Sequence, residues 1–215
     1  MQDNNNDIIC AISSAPGMGA IALIRLSGAD SIQLTDKVFK TPSGKKLSQA
    51  SANTIHFGRI ANDSELIDEV LISVFHAPHS FTGEESVEIS CHGSVYIQQK
   101  IVELLLTKGA RLALAGEFTR RAFRNGKFDL SQAEAVADLI ASTSKASHRV
   151  AMNQMRGGFA EKLKELRDKL LQFASLIELE LDFSEEDVEF ANREHLYSLT
   201  EEIETKISSL ANSFK

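Results

Sequence analysis

Arg25 is the charge in this sequence that most needs a partner. It interrupts the aliphatic run Ala20-Ile-Ala-Leu-Ile-Arg-Leu26, on the side-chain face a strand would share among Ile21, Leu23 and Arg25. A half-buried guanidinium requires an anion, and either a structural salt bridge or a ligand can supply one. Ser86-Val-Glu-Ile-Ser-Cys-His92 alternates in the same way, with Val87, Ile89 and Cys91 on one face and Ser86, Glu88, Ser90 and His92 on the other. A carboxylate such as Glu88 accepts two parallel hydrogen bonds, the arrangement that grips the N–H/NH₂ edge of a pterin or purine. The same residues also suit the solvent side of an antiparallel sheet. His92 is either an acid or base or a turn residue before Gly93, and no partner cluster for a metal accompanies it.

A second concentration of charge lies in Ala115-Gly-Glu-Phe-Thr-Arg-Arg-Ala-Phe-Arg-Asn-Gly-Lys-Phe-Asp-Leu130, where Arg120, Arg121, Arg124 and Lys127 face only Glu117 and Asp129. Such a stretch either holds a polyanionic small molecule or phosphate backbone, or is a solvated helix face. Pro16-Gly-Met-Gly-Ala20 has glycine spacing but neither the Gly-Lys-Ser/Thr ending of a phosphate-binding loop nor the third glycine of a dinucleotide fingerprint. No P-loop and no nucleophile elbow occurs in the 215 residues.

These residues need a scaffold, and the first half alternates strand-like with helix-like segments. Strands are predicted over Ile8–Ile12, Ala20–Leu26, Thr54–Ala61, Glu69–Phe75, Ser86–Cys91 and Ala110–Ala115, with turn chemistry at Asn62–Ser64. Helices are predicted over Asp30–Phe39 and Ser94–Lys108, the latter with Ile97, Ile101 and Leu105 on one face and Gly109 as its stop. The second half is helical in pattern. Ser131-Gln-Ala-Glu134 reads as a capping box. Met152, Met155, Phe159, Leu163, Leu166, Leu170, Phe173 and Ile177 form a seam interrupted by Gly157-Gly158, and Leu196, Leu199, Ile203, Ile207 and Leu210 form another. The charge cluster Glu185–Glu189 between them suits a turn or a helix start. The expected fold is a mixed α/β (α+β) domain followed by an all-α antiparallel segment, whose apolar stripes call for a further partner.

Composition bounds the partners. The net charge of -7 argues against a broad basic surface for nucleic acid, although a local patch remains open. The acidity is uneven: 13 basic and 14 acidic residues through Leu130, against 10 and 16 from Ser131 onward. No apolar run approaches a membrane span, and the polar Met1–Asp7 has no signal-peptide core, so the expectation is a cytoplasmic protein without membrane contact. Cys10 and Cys91 form no Cys-x-x-Cys pair, which speaks against a zinc knuckle or disulfide framework.

Three long segments, Asp7–Ile12 with Pro16–Gly28, then Ser80-Phe-Thr-Gly-Glu-Glu-Ser-Val-Glu-Ile-Ser-Cys-His-Gly93, then Ala115–Ile140, stand in an order that, continued through the helices to Lys215, resembles one family, the tRNA modification GTPases called MnmE or TrmE. The resemblance implies an N-terminal domain similar to the tetrahydrofolate-binding domain of aminomethyltransferases, placed at 1–120, which binds 5-formyltetrahydrofolate or 5,10-methylenetetrahydrofolate and forms a homodimer. The first part of a helical domain is implied at 121–215. The family's folate contacts fall on Arg25, Glu88 and Lys127. It further implies action with the flavoprotein MnmG on the wobble uridine of tRNA. GTP, magnesium and potassium belong to a Ras-like domain that the resemblance places after Lys215, so this chain is not expected to hydrolyse GTP. Two alternatives remain open: a free-standing one-carbon transferase of the aminomethyltransferase type, and a helical interaction module on an α/β scaffold.

Overall fold

The computed structural model describes residues 7–62, 65–182 and 193–213, and the chain divides between residues 133 and 134 into two units. The expected boundary at 120 would cut through a helix, Glu117–Arg124, whose Arg121 is buried in the first unit. The expected turn residues 63 and 64 and the cluster 185–189 lie outside the described residues.

The first unit is built on a seven-stranded mixed sheet. Its strands are β1 (Ile9–Ile12), β2 (Ile21–Ser27), β3 (Phe39–Lys40), β4 (Thr54–Asn62), β5 (Glu65–Phe75), β6 (Ser86–His92) and β7 (Arg111–Leu112). They run in the order β3-β4-β5-β6-β2-β1-β7, antiparallel throughout except where β7 pairs parallel to β1. The last strand is shorter than the expected Ala110–Ala115, because Leu114 donates its backbone N–H to the Glu117 carboxylate and turns into the next helix. Strand alternation sorts the side chains: Ala22, Ile24, Leu26, Val70, Ile72, Val74, Val87, Ile89 and Cys91 are buried in one core. The helices α1 (Ser31–Asp36) and α2 (Val95–Thr107) add Ile32, Leu34, Ile101, Leu104 and Leu105 to the same cluster. At 20–30 cal/mol per Å², burial on this scale is the main stabilising contribution.

The opposite face of the sheet carries the residues singled out for chemistry. Cross-strand registry aligns Ile55, Ser73, Glu88, Arg25 and Ala11 in one row, and Phe57, Leu71, Ser90 and Leu23 in the next. Ile21, Ile55, Phe57 and Leu71 are exposed there. Two glycines permit close backbone approach nearby. A Cβ on Gly93 would lie 2.3 Å from the Gly19 carbonyl oxygen, and the two residues are joined by a Gly19 N–H to Gly93 carbonyl bond of 3.1 Å. The glycine loop is thus clasped by the His92-Gly93 turn, with Gln98 donating to Gly17 and Gly93 carbonyls.

The helix α3 (Glu117–Arg124) completes the first unit, and α4 (Leu130–Ala141) spans the division. Its cap differs from the expected Ser131/Glu134 pair. Asp129 Oδ1 accepts the Gln132 backbone N–H at 2.8 Å and Gln132 Oε1 accepts the Asp129 N–H at 2.9 Å, a reciprocal box two residues earlier. Asp and Gln perform the same exchange as Ser and Glu.

In the second unit, α5 (Lys145–Met155) begins with a Ser144/Ser147 capping box, and α6 (Gly158–Asp182) follows Gly157, whose φ of 76° breaks the seam into two helices. α6 and α7 (Arg193–Ser213) run antiparallel, since Glu165 pairs with Lys206 while Lys169 pairs with Glu202. Leu199 and Ile203 of α7 are buried, whereas Leu163, Leu170 and Ile177 of the α6 stripe stay exposed. Among the described residues, no helix is long and apolar enough to cross a membrane.

Candidate functional site

Arg25 and Glu88 face each other directly across the β2–β6 ladder. The guanidinium donates from Nε at 2.9 Å and from Nη2 at 2.6 Å, and both bonds end on Glu88 Oε1. Each side chain keeps 23% of its surface exposed. Among the described residues Glu88 Oε2 has no hydrogen-bond partner, so one carboxylate oxygen remains open to a further donor beside a paired cation.

Two aromatic rings frame the pair. The Arg25 guanidinium carbon lies 5.0 Å from the Phe81 ring centroid and 5.7 Å from that of Phe118. Phe81 belongs to the loop before β6 and Phe118 to the first turn of α3, so three separate elements converge here. Phe81 in turn meets Phe128 edge-on, at 5.5 Å between centroids.

Lys127 approaches from the Phe128 side. Its Nζ donates to the Pro78 carbonyl at 3.1 Å, and its stem lies close to Gly83, where an added Cβ would stand 3.2 Å from Lys127 Cγ. Asn125 ties the same loop by donating to the Thr82 carbonyl at 2.8 Å. Arg25 and Glu88 are therefore in direct contact, and Lys127 connects to them through the loop that carries Phe81 rather than touching either.

The remaining candidates have structural partners. Arg121, only 3% exposed, donates to the Asp7 carbonyl and carboxylate, to Glu84 at 3.2 Å and to Glu117 at 3.3 Å. Arg111 donates to Glu117 at 2.6 and 2.8 Å and to Asp7 at 2.5 Å. The Arg111 hydrogen bonds hold the Glu117 carboxyl down to about 2 against the opposing effect of burial. Burial works to raise the Asp7 carboxyl, but hydrogen bonds from Arg111 and Arg121 outweigh it and keep it below the ordinary carboxylate range. Arg124 lies 3.8 Å from Glu84 and Arg120 3.6 Å from Glu117. The arginines between Glu117 and Asn125 thus face carboxylates of their own chain.

His92 Nδ1 lies 2.7 Å from Asp68 Oδ1, while its backbone N–H donates to Oδ2 at 2.8 Å. This pairing fixes the end of β6 on β5. Burial pushes both Cys10 and Cys91 up to about 11, and neither forms a disulfide. Among the described residues no group of three His, Cys, Asp or Glu side chains could hold a metal. The aromatic frame of Phe81, Phe118 and Phe128 had no distinguishing sequence signal, because nothing in the local pattern says that these loops meet at Arg25.

Comparison with known proteins covers the chain in two stretches. Residues 8–127 match the family described as GTP-binding protein TrmE N-terminus, and residues 130–215 match the MnmE helical domain. The tRNA modification GTPase MnmE of Bacteroides fragilis is 61% identical over 212 residues, which is 98% of this chain and 45% of that protein. The proteins of the same name from Flavobacterium johnsoniae and Porphyromonas gingivalis are 56% and 54% identical over 210 and 213 residues, again 98% of this chain and 45% of theirs. The chain spans less than half the length of these relatives. With both stretches matched in order and at this identity, the chain belongs to the MnmE (TrmE) family of tRNA modification GTPases.

Proposed function

We propose that this chain supplies the folate-binding and dimer-forming part of a tRNA modification GTPase, with the one-carbon tetrahydrofolate held around Arg25, Glu88 and Lys127. The observation that carries the reading is the half-open carboxylate of Glu88, paired to Arg25 on one oxygen and free on the other, beside the rings of Phe81 and Phe118. This chemistry fits a pterin. Glu88 would accept its N–H and amino hydrogens, the phenyl rings would pack on its flat faces, and Arg25 and Lys127 would meet polar or anionic groups along the folate. The folate, as 5-formyl- or 5,10-methylenetetrahydrofolate, would supply the one-carbon unit for modification at carbon 5 of the tRNA wobble uridine.

The exposed apolar rows of the sheet, with Ile55, Phe57 and Leu71, support pairing with a second copy of the chain. The first unit, through residue 133 and so including Lys127, is the proposed folate and dimer domain, and the residues after it are the proposed first part of the helical domain. The flavoprotein MnmG and tRNA are the proposed partners, and the cytoplasm the proposed compartment. GTP, magnesium and potassium are assigned to the remainder of the whole protein, since these 215 residues contain no P-loop.

Calorimetric titration with 5-formyltetrahydrofolate tests the site. Wild-type chain is expected to bind and Glu88→Ala to lose at least tenfold in affinity. Equal binding by both, or none by the wild type below millimolar ligand, would reject the assignment.

A further inference from the structure

We propose that the exposed face of α5 is a docking stripe for the phosphate backbone of RNA. This deepens the proposed function, on which it rests for the identity of the polyanion as tRNA. From Leu139 to Ala160 the sequence has no acidic residue, although the chain from Ser131 onward is strongly acidic. Within that window Lys145, His148, Arg149, Asn153 and Arg156 recur at the spacing of one helix face, and all five are exposed. From Lys145 to Arg156 the stripe runs about 16 Å along the helix.

These groups differ from the carboxylate-bound arginines and lysines of the molecule, and they share one helix face. Arg111 and Arg121 are bound by Asp7, Glu84 and Glu117, and in the second unit Lys169 and Lys206 are bound by Glu202 and Glu165. Among the described residues, no carboxylate pairs with Lys145, His148, Arg149 or Arg156. Lys145 also opens α5, where the helix dipole disfavours positive charge. Neither internal pairing nor local helix stability accounts for the placement, whereas an external polyanion does.

The stripe is suited to phosphates rather than to a protein or a lipid surface. A backbone of regularly spaced phosphates needs only a line of cations and amide donors, without a shaped pocket. A protein partner would require an aromatic or aliphatic anchor at the centre of the contact, and here the centre holds the half-buried Met152 and the amide of Asn153. An interfacial membrane helix would need a broad Leu, Phe or Trp face opposite the cations, and α5 contains none of these residues.

The test is anisotropy of fluorescein-labelled tRNA titrated with the full chain between 50 and 200 mM KCl. Each phosphate contact contributes about -0.7 to -0.9 to the slope of log affinity against log salt. The Lys145→Gln/Arg149→Gln/Arg156→Gln variant is expected to bind at least tenfold more weakly at 50 mM KCl, with a slope shallower by about 2. Lys162→Gln/Lys164→Gln on α6, where Glu161 and Glu165 interleave, should bind as wild type, and Arg149→Lys/Arg156→Lys should retain binding. No tRNA binding by the wild type, or equal affinity and slope in the triple variant, overturns the proposal. So does displacement of tRNA by polyglutamate, or by anionic phosphatidylserine vesicles, at equal charge concentration, which would reassign the stripe to an acidic protein or a membrane. Folate titration of the same variant distinguishes the two readings. Retained folate binding with lost tRNA binding supports the stripe, and absent folate binding in the wild type rejects the folate site while leaving the tRNA result standing.

Discussion

Arg25 places two donors on a single oxygen of Glu88, Nε at 2.9 Å and Nη2 at 2.6 Å, and leaves the other oxygen uncommitted. A pair that served stability alone would be expected to use both oxygens, as Arg111 does on Glu117 at 2.6 and 2.8 Å. The pair is partly solvated, so its net contribution to folding should be small, about 0–1 kcal/mol. Glu88→Gln and Arg25→Met are therefore expected to melt within a few degrees of wild type while losing about ten- to a hundredfold in affinity for 5-formyltetrahydrofolate, the range of charge-assisted hydrogen bonds. A large stability loss with unchanged folate affinity would make the pair structural.

Lys127 separates a charge role from a positioning role. Its ammonium holds the Pro78 carbonyl and its stem lies along Gly83, so Lys127→Ala removes both. Lys127→Met keeps the stem. If the cation meets the folate, both variants should weaken binding several-fold in calorimetry. If only the packing of its stem along Gly83 matters, Lys127→Met should bind as wild type.

The residues of this site were readable from strand alternation, while their geometry was not. Period-two patterning puts Glu88 on the polar face of its strand and marks Arg25 as the one charge among Ile21 and Leu23, but 63 positions separate the two, and only the sheet order makes β2 and β6 neighbours. The same distance problem concealed the fate of Arg121: beyond its local neighbour Glu117, its partners Asp7 and Glu84 lie 114 and 37 positions away, so it is surrounded by carboxylates. The helix start at α4 was misplaced for a local reason, since Asp129/Gln132 and Ser131/Glu134 both satisfy the capping pattern. On α5 the sequence signal was an absence of acids rather than an excess of arginine, and it is easily passed over beside the denser cluster at Arg120–Lys127.

The open face of the sheet yields a prediction about association. Phe57 and Leu71 pair across β4 and β5 and remain 52% and 47% exposed, with Ile55 and Leu23 adjoining them in the same two rows. If a second copy covers these rows, Phe57→Glu and Leu71→Glu each place a charge in a desolvated contact. Sedimentation at micromolar concentration should then show a dimer for wild type and a monomer for both variants, with the melting temperature of the isolated monomer little changed. A wild-type chain that sediments as a monomer, or variants that remain dimeric, would remove this face from the interface.

The buried ion cluster sets the acid limit of the fold. Glu117 is 1% exposed and its carboxyl is held at about 2, below its ordinary 4.5, principally by the Arg111 hydrogen bonds. Asp7 is lowered in the same direction. A carboxyl whose folded-state value lies below its unfolded value contributes stability that is complete above about pH 4.5 and is lost as the pH falls towards 2. Thermal melts should therefore be flat from pH 7 to 5 on account of this cluster and decline steeply below 4.5. Glu117→Gln leaves Arg111 and Arg121 facing one fewer carboxylate in a buried setting, and should cost about 3–5 kcal/mol in urea unfolding at pH 7. Because the variant has already lost the group that titrates, its decline below pH 4.5 should be shallower than that of wild type. An acid limb of equal steepness in both would assign the acid sensitivity to carboxylates other than Glu117.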